Sequence, residues 1–379
     1  AVEKAGAASG PHFSVGEVEV QLDLDALRQF RLIPSGVVVS QGGMTWTLAP
    51  SNLPPQMLIV TNLATTVRFL PNDVWELPQL DATVQGIQMK FSAVVTNVTA
   101  LRKPPGTTNT GPATSSSEPA RPGAELILHR ILTELARVQF ATPPEIELTL
   151  RADARLERGF QADLKVNARD VVTPWGSGRN ASFTAKITLP PGTNGAANAD
   201  LRIEAQRLRT TNLIFNAEQL LLTARLNRQS DRTNDWDAAW DVTLRDGKSK
   251  WAEVATLRFN GQTAPRPLAP DEWRTSLTLR TTGLKTEWGR VADGRLSGNA
   301  KFAPARKQLL AADADLQVTS PTTKWGEAQQ ARISAKATWV GQRTATPGDP
   351  AARGNGTDPS LAAWGFWTNL APWQLETSV

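Results

Sequence analysis

The sequence predicts a mainly β protein: an elongated, curled antiparallel β-sheet, shaped like a groove, built from repeated two-strand units with one amphipathic helix. Three observations support this: a recurring tryptophan phrase, alternating apolar and polar residues on both sides of each copy, and a single stretch with helical periodicity. The four copies contain Trp175, Trp251, Trp288 and Trp325, which are 76, 37 and 37 residues apart. A fixed period of this length indicates a repeat architecture whose units stack to bury their apolar faces.

Each copy of the phrase has threonine or serine two residues before the tryptophan, and glycine follows the tryptophan in three of them. A copy expected near residue 213 carries leucine instead, at Thr211-Asn212-Leu213. We expect the tryptophans to be structural, each wedged where a strand meets a turn, beneath aliphatic side chains of the neighbouring repeat. The glycine fits a turn that needs positive φ or a close backbone approach. The alternative is that the tryptophans are ligand platforms.

The alternating runs predict strands with one apolar and one polar face. Five hairpin-like units are expected between residues 145 and 340, and a sheet this wide must curl, close or fold over its apolar face. If it stays open, the apolar positions line a trough; if it closes, they form an ordinary core, and the alternation permits both. The candidate groove residues are Val18, Val20, Leu22, Leu24, Leu201, Ile203, Leu220, Leu222, Leu277 and Leu279.

Composition divides the chain into seven segments. Residues 1–12 are predicted to be a disordered lead-in, 13–102 an N-terminal β region, 103–123 a flexible linker rich in Pro, Gly, Ser and Thr, 124–140 the helix, 145–340 the repeat array, 341–359 a flexible insertion and 360–379 the start of a further, truncated repeat. Either Trp364 or Trp373 continues the tryptophan series. The chain opens on Ala1 without methionine, and we expect it to be a piece of a longer protein.

The helix is predicted from one apolar stripe: Leu128, Ile131, Leu132 and Leu135. His129, Arg130, Thr133, Glu134 and Arg137 are expected on the opposite, polar side, and Pro143-Pro144 ends the segment. We expect this helix to cap the groove; the alternative is that it lies on a membrane surface.

Composition argues against several functional classes. The net charge of +5 comes from basic and acidic residues interleaved along the strands, without the basic–aromatic cluster of a nucleic-acid groove. The chain has no cysteine and two histidines, and it lacks the common hydrolase and phosphate-loop motifs, so we expect no enzyme activity and no cofactor. The acidic cluster Asp231, Asp235, Asp237 and Asp241 lacks the spacing of a calcium loop, so no metal site is expected. No apolar run approaches the roughly 20 residues of a transmembrane helix.

The order of these features resembles the AsmA-like family of diderm bacteria, the repeating-β-groove or bridge-like lipid-transfer proteins. The resemblance rests on the alternating strands, on the helix that ends in Phe140-Ala141-Thr142-Pro143-Pro144, and on the repeats with Thr-x-Trp-Gly. The Thr-Pro-Trp-Gly form is similar to planctomycete and verrucomicrobial versions. The resemblance implies a periplasmic protein whose parent chain is tethered to the inner membrane. It also implies that the groove holds acyl chains of phospholipid or another lipid during outer-membrane assembly. It also implies envelope proteins as possible partners and no catalytic residues.

A second functional hypothesis is a structural or adhesive β-repeat protein with a closed core, which binds a protein or a glycan on its outer face. A continuous unfilled apolar trough favours the lipid groove. A filled core with tryptophans exposed in a row favours the adhesive protein, or a carbohydrate-active module.

Overall fold

A computed structural model describes residues 11–48, 53–102, 124–156, 159–191, 196–211, 215–228, 236–266, 269–303, 308–339 and 373–378. The predicted linker 103–123, the insertion 341–359, most of the lead-in and most of the last repeat lie outside these residues. The chain divides into two units, Ala1–Arg225 and Leu226–Val379. The boundary falls inside the predicted repeat array. The predicted fold class, a mainly β chain of antiparallel two-strand units, is confirmed.

The first unit is a ladder of long strands. Its strands are β1 (His12–Ser14), β2 (Glu17–Leu22), β3 (Pro34–Leu48), β4 (Gln56–Leu70), β5 (Val74–Val84), β6 (Ile87–Thr96), β7 (Gln139–Phe140), β8 (Glu145–Asp153), β9 (Phe160–Thr173), β10 (Gly176–Leu189), β11 (Ala197–Thr210) and most of β12 (Phe215–Arg228). β1 and β2 both pair with β3, and the ladder continues in chain order through β4, β5 and β6. In the described residues, β2 has no strand on its other side, so the ladder is open at this end.

One pairing in the first unit departs from the expected meander, because β6 and β8 are parallel. Parallel neighbours need a crossover connection, and here the chain passes through a 3₁₀ helix (Val98–Arg102) and the helix α2 (Ala124–Leu135) before it returns. The junction is tied by Asn97, whose Nδ2 donates to Oδ1 of Asp153 over 2.8 Å. A hydrogen bond from the backbone of Arg155, together with that from Asn97, lowers the pKa of Asp153.

Helix α2 is shorter than predicted, since it ends at Leu135 and residues 139–140 form β7 instead. The prediction for His129 was wrong. Its side chain is only 3% exposed, and its Nε2 lies 2.9 Å from the carbonyl oxygen of Pro54. A carbonyl oxygen can only accept, so the imidazole N–H donates this bond, and the buried ring thereby has a hydrogen-bond partner. A second helix, α1 (Leu24–Arg28), was not predicted.

The main buried cluster of the first unit lies under α2, where Leu132 packs with Leu48 and Leu58, and Leu128 packs against the same cluster. These two helix residues therefore contact the sheet as predicted, whereas the side chains of Ile131 and Leu135 lie outside the described residues. Beside the hydrophobic contact, Gln56 Nε2 donates to Thr133 Oγ1 over 3.0 Å. Thr133, too, was expected on the polar side.

Shortening Leu132 is expected to loosen the helix from the sheet. Leu132→Ala removes a buried leucine side chain and leaves a cavity, which typically costs about 2–5 kcal/mol. Hydrogen exchange of residues 124–135 should accelerate accordingly, whereas Arg130→Ala, an exposed change on the same helix, should stay within about 0.5 kcal/mol of the parent protein. Equal exchange rates in both variants would show that Leu132 does not hold the helix.

The second unit continues the repeats. Its strands, besides the end of β12, are β13 (Trp236–Ser249), β14 (Ala252–Arg266), β15 (Ala269–Thr286), β16 (Gly289–Ala303), β17 (Gln308–Thr319), β18 (Thr322–Thr323), β19 (Gly326–Glu327), β20 (Gln330–Trp339) and β21 (Trp373–Ser378). The long strands pair in order from β13 to β17, then to β20 and β21, and every pairing is antiparallel. Trp373 lies in a strand opposite Trp339, so it does not continue the series of turn tryptophans; Trp364 lies outside the described residues.

Candidate functional site

An unbroken row of directly opposed residues crosses the first unit on one face of its sheet. Residues paired across neighbouring strands share a face. The row runs over nine strands and, apart from one threonine, is apolar: Val18, Val39, Thr65, Leu80, Phe91, Leu148, Leu164, Ala185 and Leu201. Nine strands about 4.8 Å apart span roughly 40 Å. The parallel row through Ile146, Val166, Phe183 and Ile203 lies beside it.

The second unit repeats this arrangement. Six strands, β13 to β17 and β20, contribute one residue each to a wholly apolar row: Val242, Phe259, Leu279, Leu296, Leu316 and Ile333. In the neighbouring row Leu277 lies between two glycines, Gly261 and Gly298. The ring of Trp240 lies over Gly261, where an added Cβ would come within 2.5 Å of its Cζ2. Trp240 also packs against Phe259, with ring centroids 6.3 Å apart.

The burial of these rows shows that they do not form a closed core. In a sandwich or a filled barrel, inward-facing residues of both walls are covered and interdigitate. Here most of the row members are half-buried, and of both rows only Ala185 is fully buried within the described residues. In the second unit, Val254 and Ala303 are the buried apolar side chains among the residues described. Of the two possibilities that the alternation left open, a trough and a closed core, the closed core is therefore excluded for these residues.

The structure brings most of the predicted groove residues onto these apolar faces. Val18 and Val20 lie opposite Val39 and Val37 at the open end of the first unit and are each 55% exposed. The prediction that Leu24 lines the groove was wrong, because the strand ends at Leu22 and Leu24 begins helix α1.

Two further candidates, Leu220 and Leu222, are half-buried in β12. In the same strand, the Nε atom of Arg225 donates over 2.8 Å to Asp200 on the polar face of β11. Because sides alternate along a strand, Leu220 and Leu222 take the apolar side.

Sequence reasoning missed several members of the rows. Phe91, Leu148, Leu164, Phe259, Leu296 and Leu316 all lie in runs with visible alternation. Alternation identifies apolar positions strand by strand, but only the register shows which of them line up into one surface.

Helix α2 lies on the same apolar face at its β3–β6 end. Leu128 and Leu132 pack near Val84 of β5, which is paired with Ile87 of β6. Met89 lies two residues after Ile87, on the same side of β6, and is paired with Ile146. The helix and the apolar rows therefore lie on one face of the sheet. Beside the helix is a partly open cavity of about 380 Å³, lined by Gln56, Met57, Gln85, Ile87, Leu132, Ala136, Val138 and Phe140. The Oε1 atom of Gln56 is buried without a hydrogen-bond partner. The helix thus covers one end of the face, and a cavity lined mainly by apolar residues adjoins it.

The opposite face of each sheet carries solvent-exposed ion pairs. Examples are Arg258–Asp241 at 2.8 Å and Arg332–Asp315 at 2.8 Å. The hydrogen bond from Arg332 lowers the pKa of Asp315, so its stabilising contribution is present above the ordinary aspartate pKa and is lost as the pH falls through the lowered value. Exposed pairs of this kind contribute little individually, and they keep this face wetted.

The tryptophan phrase forms the same turn each time. In the first copy Thr173 Oγ1 accepts from the backbone N–H of Trp175 (3.3 Å) and Gly176 (3.2 Å), and donates to the carbonyl of Gly176 (3.0 Å). Ser249 and Thr286 make the same three bonds in their turns, and Thr323 makes two of them. A hydroxyl that satisfies turn N–H groups explains why threonine or serine, rather than valine, begins each phrase.

The tryptophan side chains themselves are not covered. Trp175, Trp251, Trp288 and Trp325 are between 52% and 80% exposed, so the prediction that aliphatic chains of the next repeat cover them is wrong. In the second unit, Ala252 pairs with Thr286, and Gly289 with Thr323, which places three of these turns along one edge. Turns two strands apart are separated by roughly 10 Å. We call Trp251, Trp288 and Trp325 the tryptophan edge.

The glycine after the tryptophan permits a close approach of the next turn. A Cβ on Gly176 would meet the carbonyl oxygen of Arg209, and one on Gly289 would meet that of Thr322, both at 2.3 Å. Neither glycine has positive φ, so of the two reasons expected for it, the close approach applies here.

The described residues contain no group of three or more His, Asp or Glu side chains placed to hold a metal ion. Of the acidic cluster considered above, Asp237 accepts from Asn227 and Asp241 pairs with Arg258, while Asp231 and Asp235 lie outside the described residues. None of the helices described by the structure is long and apolar enough to cross a bilayer.

Comparison with models of known protein families, with curated proteins and with solved structures finds no match to this chain.

Proposed function

We propose that this chain is a non-enzymatic, AsmA-like groove protein of the bacterial periplasm, which offers an apolar β surface to lipid acyl chains during lipid transport for outer-membrane assembly. The observation that carries the proposal is the continuous apolar row of each unit, uncovered over most of its length. A monomeric soluble protein rarely exposes so long a contiguous apolar surface without a ligand or partner.

The dimensions and the energetics both suit an acyl chain. One leaflet contributes about half of the roughly 30 Å hydrocarbon core, so an extended chain is near 15 Å long. The row of the first unit, at roughly 40 Å, exceeds two such lengths. Moving a chain from bilayer to an apolar surface exchanges one apolar environment for another, so it costs little hydrophobic free energy and requires no chemical step.

The polar face and the covered end also fit this proposal. Exposed ion pairs such as Arg258–Asp241 keep the outer side in water, so lipid is directed to the other face. Helix α2 would act as the cap of one end, and the cavity beside it has a volume typical of small-molecule sites.

Native mass spectrometry of protein purified from a diderm host, with lipid extraction from the same sample, tests the proposal. We expect bound phospholipid, released on denaturation in more than one acyl composition, because the apolar rows recognise no particular chain. A folded protein that carries no lipid, and takes none from phospholipid vesicles, would contradict it.

A second candidate function is an adhesive protein that binds a glycan or a protein through the tryptophan edge. The specific observation in its favour is that Trp251, Trp288 and Trp325 are exposed in a regularly spaced line. Large amphipathic rings of this kind are typical anchors of binding surfaces.

Replacing all three edge tryptophans by alanine separates the two functions. Under the lipid proposal the triple variant should retain its co-purified lipid, because these rings lie at turns and outside the apolar rows. Under the adhesive alternative it should lose binding on a glycan array or in pull-downs with envelope proteins. Arg290→Ala, an exposed change near the same edge, serves as the control. Loss of lipid in the triple variant alone would show that the edge, and not the rows, holds it.

A further inference from the structure

Residues 23–33 form a closed loop at the open end of the first unit, which we call the α1 loop. Its two ends are joined by a hydrogen bond of 2.9 Å from the backbone N–H of Asp23 to the carbonyl of Ile33. Asp23 also caps helix α1, because its Oδ1 accepts from the N–H groups of Asp25 and Ala26. Ala26 is buried beneath the turn. The loop is therefore well defined by its own hydrogen bonds.

This defined loop displays large apolar side chains. Phe30 is 98% exposed, Leu32 76% and Leu24 69%. Scattered apolar residues on a surface are ordinary, but three of them on one eleven-residue loop form a patch that water solvates poorly. Nothing in the described part of the chain covers them.

The backbone at Phe30 adds a second, independent observation. Helix α1 ends with hydrogen bonds from Phe30 N–H to the carbonyl of Leu27 and from Arg31 N–H to that of Ala26, both 2.9 Å. This is a Schellman-type end, and Phe30, with φ of 57°, occupies the left-handed position at which glycine is preferred. A bulky side chain is strained there, and this one gains no packing contact in return. Such unfavourable placements concentrate at functional positions.

We propose that the α1 loop is a membrane-docking loop, which inserts Leu24, Phe30 and Leu32 into the interface of a phospholipid bilayer. A phenylalanine buries about 150–250 Å² and a leucine less, so the three side chains together fall short of the roughly 800 Å² that each partner buries in a standard protein interface. A protruding apolar tip also needs a matching pocket on a protein partner, whereas a bilayer accepts it without one. The loop suits a bilayer better than a second copy of the chain.

The charges nearby show which forces drive this docking. Residues 17–33 carry four carboxylates, of Glu17, Glu19, Asp23 and Asp25, against the guanidiniums of Arg28 and Arg31. A negative balance is not attracted to anionic lipid, so insertion must rest on the apolar side chains. Docking to neutral phosphatidylcholine vesicles is therefore expected to equal or exceed docking to vesicles with added phosphatidylglycerol, and to persist at high salt.

Phe30→Gly tests the proposal, because it should affect stability and docking in opposite directions. Glycine relieves the left-handed strain, so the variant should be as stable as the parent or more stable. In flotation with phosphatidylcholine vesicles its partition should fall about tenfold or more, as expected for losing one buried phenylalanine. Leu101→Ala, which removes an exposed apolar side chain outside the loop, should leave the partition unchanged.

Because the chain contains no cysteine, a single fluorophore can be placed at will. The emission of a polarity-sensitive dye on Phe30→Cys should shift to the blue when vesicles are added, and that of the same dye on Leu101→Cys should not.

No flotation of the parent protein, or equal shifts at both positions, would overturn the proposal. So would a parent dimer in sedimentation that Phe30→Gly converts to a monomer, since the loop's occupant would then be a second copy. Because Phe30 lies outside the apolar rows, Phe30→Gly should keep its co-purified lipid, so a failure of docking is distinguishable from a failure of the groove.

Discussion

Replacing Leu201 and Ile203 by aspartate is expected to reduce bound lipid at least tenfold. Both residues lie on the apolar face of β11, opposite Ala185 and Phe183 of β10. A carboxylate held against an acyl chain loses hydration and has no partner there, which costs well over the 1.4 kcal/mol that corresponds to a factor of ten. Native mass spectrometry of the purified variant, with lipid extraction, measures the remaining occupancy.

The matched control places the same two charges on the other side of the sheet. Thr184 and Thr188 of β10 alternate with Phe183, Ala185 and Ile187, so Thr184→Asp with Thr188→Asp adds the same charge to the polar face. This variant should keep its lipid. Circular dichroism and thermal unfolding establish that both variants are folded. Equal lipid loss in both would show that the apolar face is not where lipid binds, and unchanged lipid in the first would contradict the groove directly.

Adding one methyl group at Gly261 is expected to destabilise the second unit by about 1–3 kcal/mol, the usual range for overpacking. The new Cβ of Gly261→Ala would lie 2.5 Å from Cζ2 of Trp240 and 2.9 Å from the carbonyl oxygen of Ser276. Neither can withdraw easily, because the ring of Trp240 packs on Phe259 and the carbonyl belongs to the sheet backbone. Urea unfolding and hydrogen exchange of residues 236–286 measure the loss.

A double-mutant cycle identifies the clash. In a Trp240→Leu background, Gly261→Ala should destabilise the protein clearly less than it does in the parent. The destabilisation that remains should come from the contact with the carbonyl oxygen of Ser276. Gly178→Ala is the control, because its Cβ would find its nearest neighbour at 3.5 Å, an ordinary contact. It should be neutral or slightly stabilising, as glycine replacements without strain generally are. If Gly261→Ala and Gly178→Ala behave alike, the tryptophan does not fill the space above Gly261.

The local features of the fold were predictable from sequence because they depend on neighbours in the chain. Alternation with a period of two predicted strands with one apolar face, and apolar residues such as Leu277 and Leu279 do lie on that face. The threonine or serine of each phrase has a local role, since Thr286 bonds to the backbone of its own turn. Helix α2 was predicted from its apolar stripe, although the predicted end, residue 140, lies beyond the observed end at Leu135.

Register and burial required the tertiary structure, because they depend on residues distant in the sequence. Val39 and Met44 differ in parity yet lie on the same face, since bulges near Gln41, with φ of 54°, shift the strand by one residue. The parallel pairing of β6 with β8 depends on a crossover, and the burial of His129 depends on the carbonyl of Pro54, 75 residues away.

The exposure of the turn tryptophans is the clearest case of this division. The phrase fixes where each turn forms, because a hydroxyl, two N–H groups and a carbonyl lie within three or four residues of one another. Whether a ring at that turn is covered depends on the side chains of the next repeat, about 37 residues further on. The sequence by itself thus determined the strands, their faces and their turns. Only the tertiary structure decided which apolar residues align into one surface. It also decided which large side chains face solvent, namely those of the turns and of the α1 loop. The reason is that long-range packing, and not the local pattern, determines what covers a side chain.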